Sequence, residues 1–180
     1  MKKTVLIYGL IAGLISTSLF IGLMILGKAG HDDFENGEIY GYTLMILAFS
    51  MIFVATKITR DKHNGGEISF GKAFRVGLYI TLIASTIYVI VWLIDYYCFI
   101  PDFAEKYGAH VIEKLKASGA GQAEIAKQSA EMAKFSEMYK NPFFNAMITY
   151  TEILPVGLIV SLISASILKR KKKTETMMAT

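Results

Sequence analysis

What most limits the folds open to this chain is a set of long apolar runs nearly empty of charge. From Val5 to Leu26 there are 22 residues without one charged side chain. The hydrocarbon core of a bilayer is about 30 Å thick and a helix rises about 1.5 Å per residue, so about 20 such residues make one crossing. A second run covers Ile39 to Thr56, 18 residues. A third starts at Val76, stays uncharged to Ile94 and continues past Asp95 into Tyr96 and Tyr97; a fourth opens near Phe143 and ends at Leu168, interrupted by Glu152 and Pro155. Helix is the expected conformation for each, because lipid offers no partner to an unpaired backbone amide. The expected fold is all-α: a single integral membrane domain over 1–180, built as a transmembrane bundle with spans at about 5–26, 39–56, 76–97 and 146–168.

Lys2 and Lys3 raise the alternative of a cleaved signal peptide, with Gly27-Lys28-Ala29 as a poor cleavage site. A signal sequence has an apolar stretch of about 7–15 residues, so the longer run here reads as a retained anchor. Composition points the same way: 53% of residues are hydrophobic and 19% charged, more apolar surface than a soluble core absorbs. The single cysteine, Cys98, excludes an internal disulfide framework, and the three histidines show no zinc-finger spacing.

Charge sets the expected orientation. Four spans put both termini on one side, together with Lys2, Lys3, Lys57, Arg60, Lys62, Lys72, Arg75 and the run Lys169, Arg170, Lys171, Lys172, Lys173. That side holds 12 of the 19 basic residues against only Asp61, Glu67 and Glu175, whereas the other side holds 7 basic and 12 acidic residues. Loops rich in Lys and Arg stay in the cytoplasm, so both ends are expected there. The net charge of +4 is then a topology signal, and a nucleic-acid partner loses its support. The basic run after the last span is expected to touch lipid headgroups.

Between the first two spans lies an acidic turn, Gly27 to Glu38, with His31, Asp32, Asp33, Glu35 and Glu38. Such oxygen ligands suit a divalent cation, but no EF-hand register is present, and a solvated loop is the expectation. The connection Lys57 to Arg75 carries the turn signal Asn64-Gly65-Gly66. After it, Ile68, Phe70 and Phe74 fit either an interfacial segment, with Lys72 and Arg75 on phosphates, or a mere helix start. The segment 101–141 is expected to form an extracytoplasmic αα-hairpin: Phe103, Tyr107, Ile112 and Leu115 recur at helical spacing, Ser118-Gly119-Ala120-Gly121 breaks it, and Ile125, Met132, Phe135 and Tyr139 resume it. About 40 residues are too few for an independent core, so the hairpin should lean on the spans or on a second subunit.

Two carboxylates stand out. Glu152 falls inside the fourth run, three residues before Pro155, and Asp95 near the end of the third. An ionisable group within a span marks an ion path, a proton relay or a buried polar lock, and two brought together can share a proton or cation. The plainer reading puts both at headgroup level, bonded to Tyr96, Tyr97 or Tyr150, and is preferred because interfacial residues are far commoner. Small residues four apart, Gly9, Gly13 and Thr17, Gly77, Thr81 and Ser85, and Gly157, Ser161 and Ala165, are expected to line close helix contacts. Gly9 to Ser18 also resembles Gly77 to Thr86, a hint of two parallel hairpin repeats.

Several motifs together carry a family resemblance: Gly66-Glu67-Ile68-Ser69-Phe70-Gly71-Lys72-Ala73-Phe74, Pro101-Asp102-Phe103, Met138-Tyr139-Lys140-Asn141-Pro142, and Glu152-Ile153-Leu154-Pro155-Val156-Gly157 running into Ser161-Leu162-Ile163-Ser164-Ala165. Nearly end to end, the chain resembles the bacterial membrane proteins grouped as domain of unknown function family 4199, found largely in Bacteroidetes. That resemblance implies a four-span inner-membrane protein with a helical outer insertion, and it brings no activity, cofactor or catalytic residue. No phosphate-binding glycine loop, nucleophile elbow or paired-histidine motif occurs, so neither an enzyme nor a cofactor is expected. The expected function is contact with lipid, with a membrane protein partner or within a homo-oligomer; the alternative is a small oligomeric transporter or channel using Asp95 and Glu152.

Overall fold

Polar caps, rather than the edges of the apolar runs, decide where the helices stop. The computed structural model describes residues 2–25 and 37–170. His31, Asp32, Asp33 and Glu35 of the acidic turn, and the tail from Lys171 through Lys172 and Lys173 onward, lie outside the described residues. Six helices follow one another: α1 (Lys2–Ile25), α2 (Gly37–His63), α3 (Phe70–Cys98), α4 (Phe103–Ala117), α5 (Gln122–Tyr139) and α6 (Pro142–Leu168). Of these, α1, α2, α3 and α6 are long and apolar enough to cross a membrane. The fold is all-α, and the four expected spans correspond to these helices.

The helices α1, α2 and α3 each outrun their uncharged segment at one end or both, because charged side chains are tolerated once the chain leaves hydrocarbon. The α2 helix winds on past Thr56 to His63, where the Gly66 N–H closes back onto the Arg60 carbonyl at 2.9 Å. Gly65 and Gly66 take φ of 63° and 86°, the left-handed turn that ends a helix in this way. Ser69 then caps α3, its Oγ accepting the Lys72 N–H. At the other end Asn141-Pro142 both stops α5 and starts α6: Asn141 Oδ1 accepts the N–H of Phe143 and Phe144, and Pro142 fills a first-turn position whose amide has no helical partner. Asp102 holds the N-cap position of α4, with Pro101 just before it.

Both α2 and α3 pack on α1 and on α6, and more lightly on each other. Glycines bring the backbones close. Gly9 and Gly13 of α1 face Ile83 and Ile87 of α3; Gly77 of α3 faces Ser161 of α6, and Gly157 of α6 faces Thr81 and Phe49. Thr81 and Ser161 also share a buried hydrogen bond of 3.3 Å across this seam. Phe49, Ile52, Ile80 and Ile153, all fully buried, fill the space between the helices. The two resembling segments, Gly9 to Ser18 and Gly77 to Thr86, lie on neighbouring parallel helices but out of step, since Gly9 is level with Ile83 rather than with Gly77.

The helices α4 and α5 form a hairpin between the third and fourth long helices. Gly119, at φ 80°, makes the turn, and Gly108 lets α4 approach Met132 of α5. At the opposite end, where α1 begins and α6 stops, Ile68 and Arg170 exchange two backbone hydrogen bonds of 3.1 and 2.9 Å, the one isolated β-bridge among the described residues. Ile68 is buried against Ala73 and Ala165, and α3 starts two residues later at Phe70.

Candidate functional site

The register of α3 against α6 locates both carboxylates. Trp92 pairs with Asn145, Thr86 with Tyr150, and Thr81 with Ser161, as expected of antiparallel helices. Glu152 lies two residues beyond Tyr150 and five before Gly157, which itself abuts Thr81. It is therefore level with the middle of α3, not with either end. Its side chain is exposed on the lateral surface of the bundle. Pro155, also exposed, has no N–H for the Thr151 carbonyl four residues back, so a backbone acceptor is released next to Glu152. A polar spot thus sits halfway along an otherwise apolar flank that includes Ile159 and Ile163.

Asp95 has the opposite setting. It is 4% exposed, near the hairpin end of α3, and its carbonyl accepts the N–H of both Phe99 and Ile100 where the helix unwinds. Asp95 lies three residues beyond the Trp92–Asn145 pair and Glu152 seven residues to its other side. At 1.5 Å per residue they are about 15 Å apart along the bundle axis, too far to share one proton or cation. Of the tyrosines expected near them, the Tyr97 hydroxyl donates to the Lys140 carbonyl at 2.9 Å and Tyr150 pairs with Thr86 at 3.0 Å.

Around Asp95 the structure assembles a feature that the sequence analysis missed, an aromatic seat for the hairpin. Trp92, Tyr96, Ile100, Ala104 and Tyr139 are buried together, and Phe20, Phe103, Phe135 and Phe144 pack against them. The Trp92 indole meets Phe103 edge-on at 4.9 Å, and its Nε1 donates to both the Tyr139 hydroxyl and Asn145 Oδ1 at 3.0 Å. Burial pushes the Tyr139 hydroxyl up to about 12; the Trp92 N–H opposes that shift and the charge of Glu152 adds to it. Asn145 completes the lock, its amide reaching the Tyr139 carbonyl and its own carbonyl accepting from Thr149. The signal was present as one tryptophan and many aromatics near Pro101 and Asn141, but their meeting depends on the hairpin folding back.

The terminal end of the bundle is basic throughout. Lys2 and Lys3 come from α1, Lys57, Arg60 and Lys62 from α2, Lys72 and Arg75 from α3, and Lys169 and Arg170 from the end of α6. A Thr4–His63 contact of 3.2 Å holds the start of α1 against the end of α2. The hairpin carries an open groove of about 480 Å³ between α4 and α5, floored by Gly108, Ala109 and Met132 and edged by Glu105, Glu113 and Glu137.

A family model matches residues 7–170, nearly the whole chain. The chain belongs to the DUF4199 family of proteins of unknown function. No curated protein and no solved structure matches it. Family membership is consistent with the four long apolar helices and names no reaction.

Proposed function

We propose that this DUF4199 protein is a non-enzymatic component of a bacterial inner membrane, with both termini cytoplasmic and the α4–α5 hairpin outside, acting through contacts with lipid and with another membrane-embedded helix. The observation that carries this reading is the mid-depth polar spot of Glu152 and the Thr151 carbonyl on the bundle's lateral surface. The charge of Glu152 reaches the buried Tyr139 hydroxyl, yet its side chain is still exposed on this flank, and an ionisable group within a span turns to protein or water. A second copy or a partner helix laid over this flank would cover it. The filled interior supports the same reading, since Phe49, Ile52, Ile80 and Ile153 occupy the space a monomeric path would need. Lys and Arg at every helix end on the terminal side support the cytoplasmic assignment.

The alternative, an oligomeric transporter or channel, also draws on Glu152: copies meeting at this flank would line a path with its carboxylates, while Asp95 is buried within the bundle about 15 Å away along the axis. Two measurements separate the readings. Self-association or partner retention in mild detergent is expected to fall for Glu152→Leu and to persist for Glu152→Gln, which keeps the shape and most hydrogen bonds. Proteoliposomes of the wild type are expected to pass neither protons nor cations. Flux in the wild type that disappears in Glu152→Gln would establish the transporter instead.

A further inference from the structure

We propose that Lys57, Arg60 and Arg170 form a subsite for the phosphate of an anionic phospholipid, at one corner of the terminal end. The inference rests on the membrane reading above and narrows its lipid contact to three side chains.

The corner is built by two distant parts of the chain. Lys57 and Arg60 lie one turn apart on α2, and Arg170 is brought beside them by its two backbone bonds to Ile68 in the α2–α3 connection. Those bonds hold the chain just after α6 ends, where a free terminus would otherwise leave in any direction. Arg60 is bound by the adjacent Asp61 through Nε at 2.6 Å and Nη2 at 3.2 Å, which fixes the plane of its guanidinium. Lys57 and Arg170 are both near enough for their charges to act on the same Asp61 carboxylate. Three cations therefore surround one anion, leaving an excess of two positive charges in one corner.

A plainer explanation is that basic residues collect at the C-terminal end of α2 to satisfy its dipole, an effect confined to the last turn. It accounts for Arg60, Lys62 and His63, which occupy that turn, but not for Lys57, which precedes it, or for Arg170, which comes from another helix. Depth favours a headgroup. The uncharged run of α2 ends at Thr56, so Lys57 is the first charged residue beyond the hydrocarbon boundary, within reach of the phosphate layer for a long side chain. The exposed apolar surface of α2 beside it, such as Phe53, is where the acyl chains of a bound lipid would lie. A free phosphate has no use for that surface, which is why the lipid is chosen.

The test uses the full chain in nanodiscs of mixed phosphatidylglycerol and phosphatidylcholine, with retained lipid counted by native mass spectrometry after gentle detergent transfer. Wild type is expected to retain phosphatidylglycerol preferentially. The Lys57→Gln/Arg170→Gln double variant is expected to lose that preference about twenty-five-fold, at about fivefold per charge at an anionic surface. The bridge to Ile68 is made by main-chain atoms, so these substitutions leave it in place; a wild-type melting profile confirms the fold, and Arg170→Lys should restore most of the binding. Lys127→Gln/Lys134→Gln on α5 should change nothing. Loss of preference in a Lys171→Gln/Lys172→Gln/Lys173→Gln variant but not in the corner variant would overturn the subsite while leaving lipid contact standing. Absence of any preference in the wild type would remove the lipid part of the functional reading too. Release of the lipid by millimolar inorganic phosphate would assign the corner to free phosphate and overturn the lipid assignment.

Discussion

The seam between α3 and α6 is packed in two different ways along its length. In the half toward the termini, Gly77, Thr81, Gly157 and Ser161 let the helices approach until side chain meets backbone, joined by one buried hydroxyl pair. In the half toward the hairpin, the same two helices are held by Trp92, Tyr96 and Phe144, with Tyr139 of α5 inserted among them. Small residues serve where two helices need only each other, because lipid provides no hydrophobic drive and dispersion grows with close approach. Large aromatics serve where a third element must be seated, because they reach across a wider gap and Trp and Tyr each retain a polar handle.

The comparison is broken most severely by Trp92→Ala. Truncating a buried Trp costs about 3–5 kcal/mol in a core, and here it also strips the Tyr139 hydroxyl and Asn145 of a donor. The hairpin is expected to loosen first, read as faster amide exchange in α5 than in α1, together with a lower melting temperature in detergent. Gly157→Leu attacks the other half. Its new side chain would meet Thr81 and Phe49, and overpacking of this kind costs about 1–3 kcal/mol. Loss of stability without early exchange in α5 is the expected signature, and equal loosening of the hairpin would show that the two halves are one unit.

A smaller effect is expected at high pH. An unfolded tyrosine titrates near 10, whereas burial holds the folded Tyr139 hydroxyl up at about 12. Between those values the unfolded chain has lost a proton that the folded chain keeps, so stability present below pH 10 falls as pH rises toward 12. Tyr139→Phe should remove that part of the decline, and identical pH profiles would place the hydroxyl outside the lock. Smallest of all is the hydroxyl pair: Ser161→Ala is expected to cost only about 0.6 kcal/mol, typical of interhelical hydrogen bonds in membranes. A penalty as large as that of Gly157→Leu would mean that hydrogen bonding rather than close approach holds this half.

Much of the architecture was legible in the chain alone. Uncharged length identified the four long helices, since the thickness of hydrocarbon admits few other solutions, and the turn chemistry of Ser118 to Gly121 and of Asn141-Pro142 separated the hairpin helices. The helix ends were less legible: α2 and α3 extend into charged sequence because the Gly65-Gly66 turn ends one and the Ser69 cap starts the other, not the limits of the apolar runs. Small residues at Gly9, Gly13, Gly77 and Gly157 were visible as stripes, but which helix each would face was not.

What the sequence determined by itself is what a local property decides: helix, span, turn and the side on which positive charge gathers. Tertiary structure alone decided what depends on register between distant helices. It set Glu152 at mid-depth on an outer flank and Asp95 in a buried aromatic seat, about 15 Å apart. It also brought Arg170 back to Ile68 and so to Lys57. Spacing along one helix states which residues share a face; only the offset of one helix against another states which faces, and which charges, come together.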